Sequence, residues 1–240
     1  MGGRRRPFWV EDDKFWYLVG LVATDGCLSR NGRVVNITSA DKHYLTRLRD
    51  AMQLSCVVSA KPSGSGATAY QLQIGSKDLH GQLVDIGLTP RKSLTIGPLK
   101  VPERGFTDFF RGVIDGDGNI RRWIHPTNGR EQWTVRVYGG SKPFLSWLQE
   151  ELERLWSVQG GLHEEDSDGR HHTKYTLKYG KLAAKVILRR CYYKGALALE
   201  RKKRLAERCM ATAVGWSKSK TVANRSEWEH WEYTRINRAQ

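Results

Sequence analysis

The chain contains an internal repeat. Phe15-Trp-Tyr-Leu-Val-Gly-Leu-Val-Ala-Thr-Asp-Gly-Cys-Leu28 aligns with Thr107-Asp-Phe-Phe-Arg-Gly-Val-Ile-Asp-Gly-Asp-Gly-Asn-Ile120, a register of 92 residues. Each copy is an apolar run ending in Asp-Gly, at Asp25-Gly26 and Asp117-Gly118. Such a duplication constrains the fold more than any local propensity, because each copy must build the same supersecondary unit. The pattern extends beyond the motif. Asp41-Lys-His-Tyr-Leu-Thr-Arg-Leu48 and Ser141-Lys-Pro-Phe-Leu-Ser-Trp-Leu148, 100 residues apart, each open a helix-like stretch with a capping residue and a lysine.

Between these stretches the residues alternate with period two, as half-buried strands do. Tyr70-Gln-Leu-Gln-Ile74 and Lys174-Tyr-Thr-Leu-Lys178 are the clearest cases. Asn31-Gly32 and Asn128-Gly129 sit where two-residue hairpin turns are expected. The Gly/Ser-rich run from Pro62 to Thr68 reads as a loop, with a polar counterpart from Glu164 to His172. Residues 94–106, with two prolines and two glycines, read as a linker. The expected fold class is therefore α+β: two half-domains, 1–93 and 107–210, each helix–hairpin–helix–hairpin–helix. A basic, Trp-rich extension, 211–240, has no repeat partner.

Forty Lys and Arg against 25 Asp and Glu leave a net charge of +15, spread along the chain. That balance favours a polyanionic partner, nucleic acid before membrane. Cysteines 27, 56, 191 and 209 form no C-x-x-C pair, so neither a zinc site nor a disulfide framework is expected. No apolar run approaches a membrane span, and the basic start is followed by Glu11, Asp12 and Asp13, so a soluble intracellular protein is expected.

Within the two apolar helices small residues lie four apart, Gly20 and Thr24 in one, Gly112 and Gly116 in the other. That spacing gives each helix a face where another backbone can approach. Packing on those faces would bring Asp25 and Asp117 together. Two carboxylates at helix C-termini repel each other and face the negative ends of both dipoles. A bound cation would relieve that, and hard oxygen ligands beside a phosphate substrate suggest magnesium. Asp115-Gly-Asp-Gly-Asn119 is not a calcium loop, since position six is Ile120 and position twelve is Pro126.

Leu18-Val-Gly-Leu-Val-Ala-Thr-Asp-Gly26 and Phe110-Arg-Gly-Val-Ile-Asp-Gly-Asp-Gly118 resemble the LAGLIDADG motif, and the layout resembles the single-chain LAGLIDADG homing endonucleases. The first copy departs from the motif at Ala23 and Thr24 but keeps Asp25. The resemblance implies two αββαββα half-domains joined through the motif helices, with both sheets forming a saddle in the DNA major groove. It implies a monomer with an internal pseudo-two-fold that makes a metal-dependent double-strand break in a long asymmetric target. The metals are two or more Mg2+, with Mn2+ substituting, held by Asp25 and Asp117 together with Thr24 and Gly116. It also implies a lysine in each catalytic pocket, Lys92 in Gly87-Leu-Thr-Pro-Arg-Lys-Ser-Leu94 and Lys194 in Cys191-Tyr-Tyr-Lys-Gly195. Where the family often carries a water-positioning Gln, this chain has Ser39 and Gly139 or Gly140, leaving that role unassigned.

Strand parity nominates the reading surface. In the first half Asn36, Thr38, Gln71 and Gln73 should face outward beside Arg33; in the second, Thr134, Arg136, Lys174, Thr176 and Lys178. Either Arg121 or Arg122 could join them. Asn, Gln and Arg suit base edges, whereas Lys and Thr suit phosphates. Two alternatives share the scaffold, an intron RNA maturase and a DNA-binding regulator without catalysis; the two acidic positions argue against lost cleavage.

Overall fold

The computed structural model of the chain describes residues 9–62, 68–165 and 173–212. The first half contains α1 (Asp13–Ala23), β1 (Gly26–Leu28), β2 (Val34–Ser39), α2 (Lys42–Ala51), β3 (Val58–Pro62), β4 (Thr68–Gly75) and α3 (Lys77–Ile86). A short 3-10 turn follows at Lys92–Leu94. The second half repeats the order as α4 (Glu103–Asp115), β5 (Gly118–Ile124), β6 (Glu131–Gly139), α5 (Lys142–Trp156), β7 (Gly161–Glu165), β8 (Lys174–Tyr179) and α6 (Lys181–Cys191). A further helix, α7 (Glu200–Ala211), closes the described chain. Each half carries a four-stranded antiparallel sheet, ordered β1-β2-β4-β3 in one and β5-β6-β8-β7 in the other. The duplicated αββαββα architecture expected from the repeat is thus the observed one.

Two details differ from the sequence reading. The helix α4 begins at Glu103, inside the stretch 94–106 expected to be linker. The hairpin turns are longer than two residues: Ser29 N–H donates to Val34 O and His125 N–H to Arg130 O, leaving four residues in each loop. A two-residue type I′ turn needs positive φ at both central positions. Here Gly32 and Gly129 adopt it (+69° and +63°), while Asn31 and Asn128 do not. The Trp-rich extension and the two polar loops fall wholly or largely on residues 63–67, 166–172 and 213–240, outside the described residues.

The halves meet along α1 and α4. A Cβ on Gly20 would run into the carbonyl oxygen of Phe109 and stand 2.9 Å from Gly112 Cα; one on Gly112 would strike Tyr17 O. The small residues are therefore required by main-chain contact, and a single added methyl must separate the helices or strain them. Around this seam Phe15, Leu18, Leu21, Phe106, Phe109 and Phe110 are fully buried and join the cores under both sheets. Alternation delivers the apolar face of each strand to its helices. Val35, Ile37, Leu72 and Ile74 are buried in the first sheet, and Trp133, Val135, Val137, Leu177 and Tyr179 in the second. The pseudo-symmetry reaches side chains: Lys42 lies over the Tyr70 ring at 5.8 Å and Lys142 over Tyr175 at 5.9 Å.

Candidate metal centre and nucleic-acid interface

Both seam helices terminate in the same unusual way. Thr24 and Gly116 cap them with φ/ψ of −101°/−88° and −75°/−99°, neither helical nor extended. The Thr24 hydroxyl folds back onto Gly20 O (3.0 Å) and Leu21 O (3.1 Å). A Cβ at Gly116 would collide with that hydroxyl and stand 3.5 Å from Asp25 Oδ2. The two motif ends therefore abut, and Gly is needed at one because Thr occupies the other. Asp25 and Asp117, the next residues, are brought together as the repeat predicts.

Their electrostatics are unfavourable as they stand. Partial desolvation pushes both carboxyls up, and Asp25 pushes Asp117 further, to about 6; Lys202 and Lys92 oppose the rise at both. Among the described residues no three His, Cys, Asp or Glu side chains cluster as a metal cage. The protein side chains thus offer two hard carboxylate donors and leave the remaining positions of a cation open.

Lys92 reaches this centre from the 3-10 turn. It is 4% exposed and its ammonium donates to the carbonyl of Gly26, next to Asp25. Desolvation lowers its pKa, while Cys27, Asp117 and Asp25 hold it up. Lys194 does not reach it. The expected pairing of Lys92 with Lys194 fails because the connections differ in length. The helix α3 ends on Gly87 (φ +117°), five residues before Lys92, whereas α6 ends on Tyr192 and the chain then turns through Gly195 (φ +83°). Lys194 lies exposed on that turn. The second lysine is Lys202, 2% exposed in the first turns of α7, donating to Ile114 O (2.6 Å), Asp115 O (2.7 Å) and Gly116 O (2.9 Å). Burial pushes its pKa down to about 8 against the pull of Asp115, Asp25 and Asp117. The repeated dipeptide Arg91-Lys92 and Arg201-Lys202 was the sequence signal for it, displaced by two residues relative to the glycines.

Asp115, the motif carboxylate without a counterpart at Ala23, is also placed by structure alone. It is fully enclosed, accepting from Tyr17 OH (2.7 Å), Tyr192 OH (2.7 Å) and Leu199 N (2.8 Å). One turn earlier Arg111 is 0% exposed, paired with Asp108 (2.6 Å) and donating to Leu197 O (2.8 Å) and Cys191 O (3.1 Å). Together they fasten residues 191–199 to α4, and that strap carries α7 and Lys202 to the helix end.

The sheet faces away from the helices carry Asn36, Thr38, Gln71 and Gln73 in the first half, at least partly accessible, with Arg33 exposed in the adjoining turn. In the second, Ile120 is buried, so Arg121 faces outward opposite Thr134, and Arg122 lies on the helix side with Glu131 as its ion-pair partner. That resolves the ambiguity against Arg122. Arg136, Lys174 and Lys178 also face outward. Thr134 and Thr176 have the same parity but are covered, the latter donating to Glu165 Oε1 (3.1 Å). At the unassigned water-positioning place, Ser39 Oγ accepts from Asp41 N (3.1 Å). A Cβ on Gly140 would displace the end of the Leu94 side chain and stand 3.1 Å from Ser93 O.

No family model and no curated protein matches the sequence. Solved structures do match in fold. Full-length DUF199/WhiA from Thermatoga maritima superposes with a TM-score of 0.53 at 15% identity, over 96% of this chain and 70% of that one. Mesophilic variants of the homing endonuclease I-DmoI give 0.54 at 17% identity, over 82% of this chain and 97% of the other. No helix of the described residues is long and apolar enough to cross a membrane. The chain thus shares the two-half LAGLIDADG fold of I-DmoI.

Proposed function

We propose that the protein is a site-specific DNA endonuclease that hydrolyses both strands of an asymmetric target, one chain per duplex, with divalent metal. The observation that carries this reading is the meeting of Asp25 and Asp117 at the abutting helix ends, with two buried lysines beside them. Two repelling carboxylates that form no three-ligand cage among the described residues suit Mg2+, which takes one or two carboxylates and fills its shell with water and phosphate oxygens. Asp25 and Asp117 would hold the ions, with Thr24 and Gly116 adjoining them. A bound ion there would acidify a water and neutralise charge on the phosphate.

The chain's own groups do the rest. An ammonium has three donors. Lys92 spends one on Gly26 O and keeps two for a phosphate oxygen or the attacking water. Lys202 spends all three on the carbonyls that end α4, so it acts as a fixed positive charge that offsets the carboxylates and the helix dipole. Both lysines are dry, which strengthens their field at the reacting phosphate. The polyanion-seeking charge of +15 and the two outward sheet faces support duplex DNA as the substrate. The same fold without catalysis would not need paired carboxylates opposed by buried lysines. Incubation with a randomised duplex library in Mg2+, scored for double-strand ends, tests the reading. Recovery of a single cleaved sequence family is expected; duplexes bound but left intact would contradict it.

A further inference from the structure

The two outward sheet faces differ in chemistry. On the central strands of the first sheet, β2 and β4, the outward residues are Val34, Asn36, Thr38, Ala69, Gln71, Gln73 and Gly75, with no charge among them. On the central strands of the second sheet Arg136 on β6 and Lys178 on β8 face outward, joined by Arg121 on the edge strand β5, whereas the outward cation of the first sheet, Lys61, lies on its edge strand β3. Asn119 pairs with Arg136 and Arg136 with Lys178, so the cations run across the middle of that sheet.

The hydrogen-bonding state of these side chains sharpens the contrast. In the first half Asn36 Nδ2 donates to Gln71 Oε1 (3.3 Å) and Gln71 Nε2 to Ser59 Oγ (3.2 Å), a chain that fixes both amides. It leaves Asn36 Oδ1 buried and without a hydrogen-bond partner. Gln73, directly across from Asn36 and exposed, offers a donor and an acceptor. In the second half Arg136 Nε is likewise buried and without a partner. Buried polar groups left unpaired are costly, so a partner brought against these two outward side chains would add a bond that the free chain does not make.

Major-groove chemistry separates the two faces. Amides that accept from an exocyclic amine and donate to a ring nitrogen match the N6/N7 edge of adenine, whereas guanidinium donors match O6/N7 of guanine. Resting on the proposed DNA substrate, we infer that the two half-sites differ in base composition. The half under the first sheet is read at adenine by Gln73 and Asn36, and the half under the second at guanine by Arg136 and Arg121.

The test is a binding selection of the full chain in Ca2+ from a randomised duplex pool, followed by single-base profiling of the winner. A guanine preference that Arg136→Gln moves to adenine is expected, by about 5- to 150-fold at one base pair. Gln73→Arg should make the opposite change in the other half-site, which guards against a variant that merely folds poorly. Two half-sites of equal composition, or profiles unmoved by both variants, overturn the inference while leaving DNA binding intact. A pool in which no duplex is enriched overturns the inference and the DNA substrate together.

Discussion

The two seam helices occupy equivalent places but are held by opposite means. At positions 92 residues apart, α1 has Trp16, Val19 and Ala23 where α4 has Asp108, Arg111 and Asp115. The first set packs as apolar side chains; the second is buried and polar, and each of its members is bonded to residues 191–199. The short five-residue connection after α3 already delivers Lys92, so the first helix has nothing extra to fasten. After α6 the connection is longer, and the polar set on α4 is what anchors it. The duplication repeats the helix ends and their carboxylates, while the means of bringing a lysine there differs.

The largest effect should come from breaking the two lysines in turn. Lys202→Ala uncaps three carbonyls and should cost about 3–5 kcal/mol of stability, as removing one partner from a buried charged network does. That is a fall of roughly 6–20 °C in Tm. Lys92→Ala removes a single bond and should leave Tm within a few degrees, yet slow cleavage by about 100-fold. Thermal melts beside single-turnover cleavage separate the two, and equal losses in both assays would show that the lysines are equivalent after all.

A smaller loss is expected from making α4 resemble α1. Asp115→Ala leaves Tyr17, Tyr192 and Leu199 N without their acceptor. The cost should be about 2–4 kcal/mol. Hydrogen exchange should rise over residues 192–202 more than over 87–94. Uniform exchange in both regions would mean that the strap is not held through Asp115.

These contrasts explain what the sequence could and could not reveal. The repeat, the strand parity and the Gly20–Gly112 approach were legible because periodicity and small-residue spacing are local properties of the chain. Lys202 was not, because its position depends on a connection five residues longer, ten from Tyr192 against five from Gly87, and on an anchor, Arg111, that reads as an ordinary helix arginine. Arg122 shows the limit of alternation: its parity is set by where β5 begins after Asp117, which only the register with β6 reveals.

The smallest effect concerns metal and pH. Asp117, ordinarily near 3.8, rises to about 6 in the folded chain. The folded state therefore binds this proton more tightly than the unfolded one. The stabilisation is complete below about 4 and lost as pH rises through about 6. At pH 7.5 the carboxylate repulsion is fully present, though solvent screens it to about 1 kcal/mol. Asp117→Asn should then raise the metal-free Tm by roughly 2–4 °C. Mg2+ should stabilise the unsubstituted chain at pH 7.5, much less at pH 5, and not the variant; a Mg2+ response independent of both pH and Asp117 would place the metal elsewhere.

The most direct measurement of the central claim is cleavage and binding by Asp25→Asn and Asp117→Asn on one selected target in Mg2+. If the two carboxylates jointly hold the metals, each variant binds the duplex with unchanged affinity but loses double-strand cleavage by at least about 1000-fold. Near-normal cutting by either variant would contradict the shared site at the helix ends.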